Sequence, residues 1–288
     1  MEDFGNMFTV MPMNQQIELV PGETVTGTVT VVNPADATSD FHYKASVTPY
    51  GVVESDYQID LASKTNYSKI VDWITIENPT GTVKPNSLEE VKFTIKVPED
   101  AAGGGQYATI TISSDTETET SESVTVNNVF EMASIIYGQV DGEVNHKGEI
   151  KDNSIPVFSN TPPIKISATL TNDGNVHENA TIIVKATNMF TGEVILPSDE
   201  NQGEYNEVIM PETERYTTRE IENLPMLGVV HVEQTVYYLG TTSVQSKNVV
   251  ICPIWFLILV VVTIIGIIAA IVKLVTRHRK KQARNTCF

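Results

Sequence analysis

Short segments that alternate apolar and polar residues fill most of the chain, with turn residues between them. The run from Glu23 to Asn33 places Val25, Val29 and Val31 on one side and threonines on the other. A period of two residues is typical of a strand with one buried face. Comparable runs continue to residue 248, and none has the period of a long amphipathic helix. The pattern predicts an all-β fold of the sandwich type.

The same sequence of landmarks occurs twice within residues 1–248. A strand that ends in asparagine, a proline between polar neighbours, and a proline that leads through glycine into a strand each recur at offsets of 139, 126 and 127: Asn33 and Asn172, Pro85 and Pro211, Pro98 and Pro225. Offsets that agree within the variation of loop lengths indicate an internal repeat. We therefore predict two tandem immunoglobulin-like β-sandwich domains, residues 1–141 and 142–248.

One apolar run is long enough to cross a membrane. Residues 249–272 contain no charged side chain, and as a helix they would extend for about 36 Å, against a hydrocarbon core of roughly 30 Å. Trp255 near the start suits the interface between lipid and water. The alternative is a buried core helix, which seldom runs this long without a polar residue. We predict a single transmembrane helix over residues 249–272, which brings the protein into contact with the lipid bilayer.

Charge is distributed unequally about this run. Residues 273–288 contain six of the 19 basic residues and no acidic residue, which leaves 13 basic and 36 acidic residues before the run. Basic flanks stay on the cytoplasmic side, so the predicted location is a cell membrane, with a cytoplasmic tail and residues 1–248 outside. A net charge of −23 on the outer part argues against nucleic acid as a partner. An exported protein needs a signal peptide, which we expect to have been removed from this numbering.

The two cysteines are Cys252 and Cys287, at opposite ends of the predicted helix. They cannot form a disulfide within one chain, and residues 1–248 contain no cysteine. The stability of the outer region must therefore come from buried apolar surface, as in many bacterial surface proteins.

The stretch from Leu170 to Val184 raises the question of a metal site, because Asn172, Asp173, Asn175, His177 and Glu178 fall within seven positions. Calcium loops place carboxylates at regular alternate positions and end in a bidentate glutamate, a spacing that is missing here. Asn, Asp and Gly also favour tight turns. The prediction is a hairpin corner between two strands, with a bound cation as the alternative.

No catalytic, cofactor-binding or metal-binding residue is predicted. The isolated histidines of the outer region, which we interpret as surface or strand-edge residues, have no spacing for zinc: His42, His146, His177 and His231. Gly103, Gly104 and Gly105 lack the lysine and the helix of a phosphate loop, and they predict either a β-bulge or a close backbone passage at the start of a strand. The protein is thus expected not to be an enzyme and to need no cofactor.

Three further features have structural interpretations. The acidic stretch from Ser113 to Ser123 is predicted to be a solvated hairpin tip, with cation or partner binding as the alternative. Asn66 and Asn179 begin N-x-S/T sequons, which could accept a glycan in a secretory eukaryote. Trp73 is predicted to lie on a strand and fill the core between two sheets.

Two phrases of the first half resemble a known family. The stretch from Phe8 to Asp36, with Phe8, Val10, Pro12, Asn14 and Gln15, and the later phrase with Pro98, Gly104 and Gly105 are similar to the first domain of the bacterial WxL-interacting protein family and its membrane-anchored surface relatives. The resemblance implies two immunoglobulin-like domains, a membrane span and a basic tail. It further implies binding of cell-wall polymer through the first domain, and of a partner surface protein or host ligand through the second.

The functional prediction is a non-enzymatic, membrane-anchored bacterial cell-surface protein whose β-sandwich domains bind cell-wall polymer, partner surface proteins, or both. The alternative is a passive spacer or assembly subunit of an envelope complex, which would pair through sheet edges or the membrane helix. A ligand would distinguish the first function from the second.

Overall fold

The computed structural model of the 288-residue chain describes residues 8–53, 57–114, 130–196 and 203–285. Twenty strands, one 3-10 turn and one long helix are assigned within these ranges. The predicted acidic tip falls largely on residues 115–129 and Cys287 on residues 286–288, both outside the described residues.

The elements of the first half of the chain are β1 (Thr9–Met11), β2 (Asn14–Leu19), β3 (Thr24–Asn33), β4 (Phe41–Pro49), β5 (Gly51–Val53), β6 (Gln58–Asp60), a 3-10 turn (Lys69–Asp72), β7 (Ile74–Ile76), β8 (Thr80–Val83), β9 (Ser87–Lys96), β10 (Gly104–Ser114) and β11 (Glu131–Val140). Those of the second half are β12 (Gly148–Ser154), β13 (Phe158–Ser159), β14 (Ile164–Asn172), β15 (Glu178–Asn188), β16 (Val194–Leu196), β17 (Glu204–Ile209), β18 (Thr213–Ile221), β19 (Gly228–Tyr238), β20 (Thr241–Ile251) and α1 (Ile254–Asn285). This element content confirms the prediction of a mostly β chain with one C-terminal apolar helix.

The strands pair in an order that is similar in the two halves. One sheet of the first half has the order β1-β3-β9-β7 and the other β2-β11-β10-β4-β8, and β5 pairs with β6. The second half contains a sheet of order β12-β14-β18 and a sheet of order β13-β20-β19-β15-β16, in which β17 also pairs with β15. Most neighbours are antiparallel, but β2 runs parallel to β11 and β13 runs parallel to β20.

Apolar side chains of the two larger sheets of the first half form one core. The inward residues of β3 and β9, among them Val29, Val31 and Phe93, are fully buried, whereas the threonines of β3 point outward. Ile110 and Ile136 contribute from β10 and β11. The strand predicted from residues 23–33 is thus confirmed, including its buried face. Burial of this apolar surface supplies the main favourable free energy of a chain without disulfides in this region.

In each half of the chain, a buried asparagine at the end of a strand donates hydrogen bonds to backbone carbonyls. The Asn33 side-chain amide donates to the carbonyls of Ser39 (3.0 Å) and Val83 (2.9 Å). The Asn172 amide donates in the same way to Val176 (2.7 Å) and Ile209 (2.9 Å). Since an unpaired backbone carbonyl is costly when buried, the asparagine stabilises the place where the chain leaves the sheet.

The two repeated prolines also have the same surroundings. Pro85 is followed by Asn86 and Pro211 by Glu212, and these two residues have nearly identical positive φ values of 55° and 56°. The next hydroxyl donates to the carbonyl before the proline in both cases, from Ser87 to Lys84 and from Thr213 to Met210. The repeat inferred from the sequence therefore has a counterpart in bonding geometry at these turns.

Two predicted element boundaries are wrong. Val249 and Ile251 are buried on β20, where Val249 pairs with Val230, so the helix begins at Ile254 and not at Val249. The junction between β20 and the helix is not visible in the sequence, because the inward residues of the strand are as apolar as those of the helix. Trp73 is not on a strand: its N–H donates to the Ile70 carbonyl (3.0 Å) at the end of the 3-10 turn, and its ring packs against the core only partly buried.

Contacts divide the chain into two compact units. Unit 1 comprises residues 1–149, 170–180 and 208–216, and unit 2 comprises residues 150–169, 181–207 and 217–288. Helix α1 belongs to unit 2. Within it, the stretch Ile254–Arg277 contains an 18-residue window with a mean hydropathy of 3.1, and no residue of that window is buried against the rest of the described chain. It is long and apolar enough to cross a membrane, and its exposure is the opposite of what a core helix of a soluble protein would show.

We predict that Phe93→Ala lowers the free energy of unfolding by about 3–5 kcal/mol, because it leaves a cavity in the core of unit 1. Leu88, on the same strand and 62% exposed, provides the matched control: Leu88→Ala should change this free energy by no more than about 0.5 kcal/mol. Urea unfolding of the full chain in detergent, followed by tryptophan fluorescence, measures both. Equal effects of the two substitutions would contradict this core.

Candidate functional site

The loop between β14 and β15, Asp173 to His177, is bonded into unit 1 by its own polar groups. The Asn175 side chain accepts a hydrogen bond from the Asn145 N–H (2.7 Å) and donates to the carbonyls of Gly103 (3.1 Å) and Glu143 (2.9 Å). Its backbone carbonyl accepts from the Gly105 N–H (2.8 Å). One asparagine thus joins three segments of the chain.

Close backbone packing explains the glycines opposite this loop. A Cβ on Gly104 would lie 2.8 Å from the Asn175 carbonyl oxygen, and Gly104 has a φ of +128°, a region that side chains disfavour. A Cβ on Gly105 would overlap the Tyr107 ring. The prediction of a close backbone passage at the start of a strand is therefore confirmed.

The side chains of Asn172, Asn175, His177 and Glu178 are engaged in structural bonds. Asn172 Oδ1 accepts from the Gly174 N–H (2.9 Å), and Glu178 pairs with His146 (2.6 Å). Within the ranges that the structure describes, no group of three His, Cys, Asp or Glu side chains could hold a metal ion. The predicted turn is present, but β14 and β15 lie in different sheets, so the turn links two sheets and is not a hairpin.

Tyr107 connects this loop to the centre of a sheet. Its side chain is fully buried, and its hydroxyl accepts the His177 N–H (2.7 Å) and lies 3.2 Å from His177 Nδ1. The hydroxyl can donate to an unprotonated Nδ1, or accept from a protonated Nδ1 through its second lone pair, so the histidine is bonded in either tautomer. Burial lowers the pKa of His177, with Glu178 opposing it, which is consistent with a neutral ring.

His177 belongs to a group of aromatic rings. Tyr107 and Tyr137 meet edge to face with their centroids 5.8 Å apart, and Tyr50 meets Tyr137 in the same manner at 6.1 Å. The His177 ring lies 4.9 Å from Tyr137. Burial raises the pKa of both Tyr107 and Tyr137, so the rings remain neutral and pack as apolar groups.

Tyr57 forms a second contact between the first half of the chain and the Pro211 turn. Its hydroxyl accepts the Met210 N–H (2.8 Å) and bonds the Thr213 hydroxyl (2.6 Å), and the Arg215 guanidinium lies 4.4 Å above its ring. Burial raises the pKa of Tyr57, opposed by these three partners. The turn is therefore held by a tyrosine hydroxyl and a cation–π contact.

A cavity of about 560 Å³ lies beside Tyr50, Tyr67 and Tyr107. This volume is within the ordinary range for small-ligand sites. We call it the tyrosine cavity; its lining is aromatic, amide and charged, with few aliphatic groups: Tyr50, Gly51, Val52, Lys64, Thr65, Asn66, Tyr67, Tyr107, Met210, Pro211, Glu212 and Thr213. All of these residues belong to unit 1.

Both signs of charge border the tyrosine cavity. Lys64 pairs with Asp72 at 2.7 Å and is mostly exposed, so its ammonium can exchange partners. Tyr67 donates to Glu212, and burial, with this bond and the nearby carboxylate, raises the pKa of Tyr67 to about 12. The cavity thus offers ring faces, a cation, an anion and the Asn66 amide at its rim, which suits a neutral polyhydroxylated ligand better than an ion.

The structure brings together only some of the residues that the sequence singled out. His42 bonds Thr82 and His231 bonds Asn248 on strand surfaces, as predicted, and His146 is exposed. The same interpretation is wrong for His177, which is half-buried against Tyr107 and Tyr137. The sequence did not predict a role for the tyrosines, because they are distant from one another along the chain and carry no motif.

No family model matches the chain, and no curated protein matches it. Among solved structures, the class 5 fimbriae chaperone CfaA is similar with a TM-score of 0.42 and 14% identity, over 84% of this chain and 99% of that one. The Escherichia coli chaperone DraB has a TM-score of 0.38 and 12% identity, over 84% and 97%. The Pseudomonas aeruginosa CupB2 chaperone has a TM-score of 0.36 and 9% identity, over 82% and 98%.

Tyr107→Phe should lower the free energy of unfolding by about 1–3 kcal/mol, because it leaves the half-buried His177 N–H without an acceptor. Tyr237, an exposed tyrosine on β19, serves as the control: Tyr237→Phe should stay within about 0.5 kcal/mol of the parent. Denaturant unfolding measures both variants. If Tyr107→Phe were as silent as the control, the hydroxyl would not be holding the loop.

The depressed pKa of His177 predicts a loss of stability in acid. The unfolded histidine titrates near pH 6.5 and the folded one below it, so the unfolded chain binds more protons between these values. The free energy of unfolding contributed by this group is complete above pH 6.5 and falls as the pH drops toward the folded pKa. Unfolding midpoints across pH 5–7.5 should show this slope, and His177→Gln, which cannot titrate, should flatten it. An unchanged slope in His177→Gln would rule out this residue as the cause.

Proposed function

We propose that the protein is a single-pass, membrane-anchored surface protein of a bacterium, and that it binds cell-wall polymer in the tyrosine cavity of unit 1. The observation that carries the proposal is this cavity, with three tyrosines and both signs of charge in its lining, on a chain whose C-terminal helix has a long apolar stretch with no buried residue. Two tandem immunoglobulin-like domains, as inferred from the repeat, present the site.

The dimensions and bonding of the helix support the anchor. From Ile254 to Val272 the helix extends for about 28 Å, close to the thickness of a hydrocarbon core. The hydroxyl of Thr263, in the middle of this stretch, donates to the Leu259 carbonyl (2.7 Å). Polar groups in lipid must be satisfied from within the segment, and this one is. The basic residues that follow support the proposal of a cytoplasmic tail, with the acidic bulk of the chain outside.

The chemistry of the cavity supports a glycan-like polymer as the ligand. A sugar ring has a C–H face that packs on aromatic rings and a rim of hydroxyls that need hydrogen-bonding partners. Tyr50 and Tyr67, both partly exposed, provide the rings, while Asn66 and Glu212 provide donors and acceptors. The resemblance of residues 8–112 to WxL-interacting proteins agrees with this ligand class, and it adds a surface protein as a second partner.

A non-enzymatic role follows from the same residues. The histidine nearest the cavity, His177, is engaged by Tyr107, and the tyrosines have raised pKa values that disfavour proton abstraction. We propose that the site binds its ligand and does not transform it.

Tyr67→Ala should weaken binding of the full chain to purified bacterial cell walls about tenfold, because it removes a ring that lines the cavity at a typical contribution near 1.4 kcal/mol. Tyr237→Ala, on a strand of unit 2, is the matched control and should bind like the parent. Co-sedimentation of the detergent-solubilised protein with the walls measures the affinities.

Two results would count against this function. Unchanged wall binding in Tyr67→Ala would remove the cavity from the binding site. A parent protein that fails to sediment beside a positive control, and that crosslinks to itself in membranes, would favour the alternative of a spacer or assembly subunit.

A further inference from the structure

The N-terminus of helix α1 is hydrogen-bonded to the end of a sheet in unit 2. The Cys252 N–H donates to the Ser159 carbonyl (3.0 Å), and the Ile254 N–H donates to the Asn160 side chain (2.8 Å). Strand β20 therefore leads into the helix through a bonded joint and not through a free linker. Whatever lies beside this joint is held close to the start of the membrane segment.

Four strands end together at this joint. The neighbours in the sheet are β13, β20, β19 and β15, and the register pairs Phe158 with Val250 and Gly228 with Ile251. The Met189 N–H, just after β15, donates to the Val229 carbonyl (3.0 Å). At about 4.8 Å between strands, the four ends form a row roughly 14 Å wide from which the helix departs.

This row of strand ends carries large apolar side chains that are exposed to solvent. They are Phe158, Met189, Phe190, Met226 and Leu227, which we call the apolar rim. Phe190 is 77% exposed, an unusual value for a phenylalanine, and its ring lies beside Gly228, where a Cβ would be 3.9 Å from the ring. Two aromatic and three aliphatic side chains at one end of a sheet form a patch that water solvates poorly.

The turn that presents Phe190 has its backbone donors satisfied. The N–H groups of Phe190 (2.9 Å) and Thr191 (3.3 Å) donate to Asn188 Oδ1, and the Gly192 N–H donates to the Asn188 carbonyl (2.8 Å). Unsatisfied backbone groups are what normally prevents a loop from entering an apolar medium. The N–H groups of this turn can therefore leave water at little polar cost.

We propose that the apolar rim sits in the outer interface of the bilayer and holds this end of unit 2 against the membrane. The occupant is the lipid surface, because the rim adjoins the start of the helix that is proposed to enter it, and because Trp255, a residue type typical of the membrane interface, is exposed on the first turn, four residues after the end of β20. The inference rests on the proposed membrane anchor. It adds a second attachment, which restricts rotation and tilt of the sheet about the helix.

Site-directed spin labels on the full chain in lipid nanodiscs test this inference, in a background with Cys252→Ala and Cys287→Ala. Labels replace Phe190 and Leu227 in the rim, Ile265 in the middle of the helix, and Tyr237. Tyr237 is exposed on β19 but lies about 30 Å along the strand from Gly228. The ratio of collision rates with oxygen and with a water-soluble nickel chelate reports whether each label lies in lipid or in water.

We expect lipid-like ratios at 190, 227 and 265 and a water-like ratio at 237. Water-like ratios at 190 and 227, with a lipid-like ratio at 265, would overturn the rim while leaving the anchor intact. A water-like ratio at 265 would overturn the anchor, and the rim with it.

Discussion

The fold depends on satisfying the backbone where the chain passes from one sheet to another. Inside a sheet the ladder pairs every N–H and carbonyl, but at a crossing these groups lose their partners while remaining buried. Asn33, Asn172 and Asn175 replace the missing partners with side-chain amides. Residues 1–248 contain no cysteine, so these hydrogen bonds and the apolar core provide the stability that disulfides provide in many small β-sandwich proteins.

The position of the candidate site follows from these side-chain hydrogen bonds. Asn175 and Tyr107 hold the loop after β14, and Tyr57 holds the Pro211 turn, so two segments from late in the chain are fixed beside strands from early in the chain. The tyrosine cavity lies where they meet. Tyr107 and Tyr67, which line it, carry structural hydrogen bonds to His177 and Glu212, so the shape of the cavity and the stability of unit 1 are coupled.

The junction between β20 and helix α1 is subject to a different constraint. Strand β20 passes into helix α1 within two residues, through Cys252 and Pro253, and the bonds to Ser159 and Asn160 make the joint firm. With the proposed membrane anchor, a short, bonded joint would bring the ends of neighbouring strands to the lipid surface, where exposed apolar side chains are favourable.

The sequence by itself determined the elements and their repetition, because strand alternation, a long uncharged run and asparagine or proline at turns are local signals. It also predicted the close passage at Gly103 to Gly105. Three things required the tertiary structure: the end of β20 within an apolar run, the linking of two sheets by the turn after Asn172, and the gathering of Tyr50, Tyr67 and Tyr107. Each depends on partners far away in the chain, and a residue's spacing from its neighbours carries no information about which distant strand it will meet.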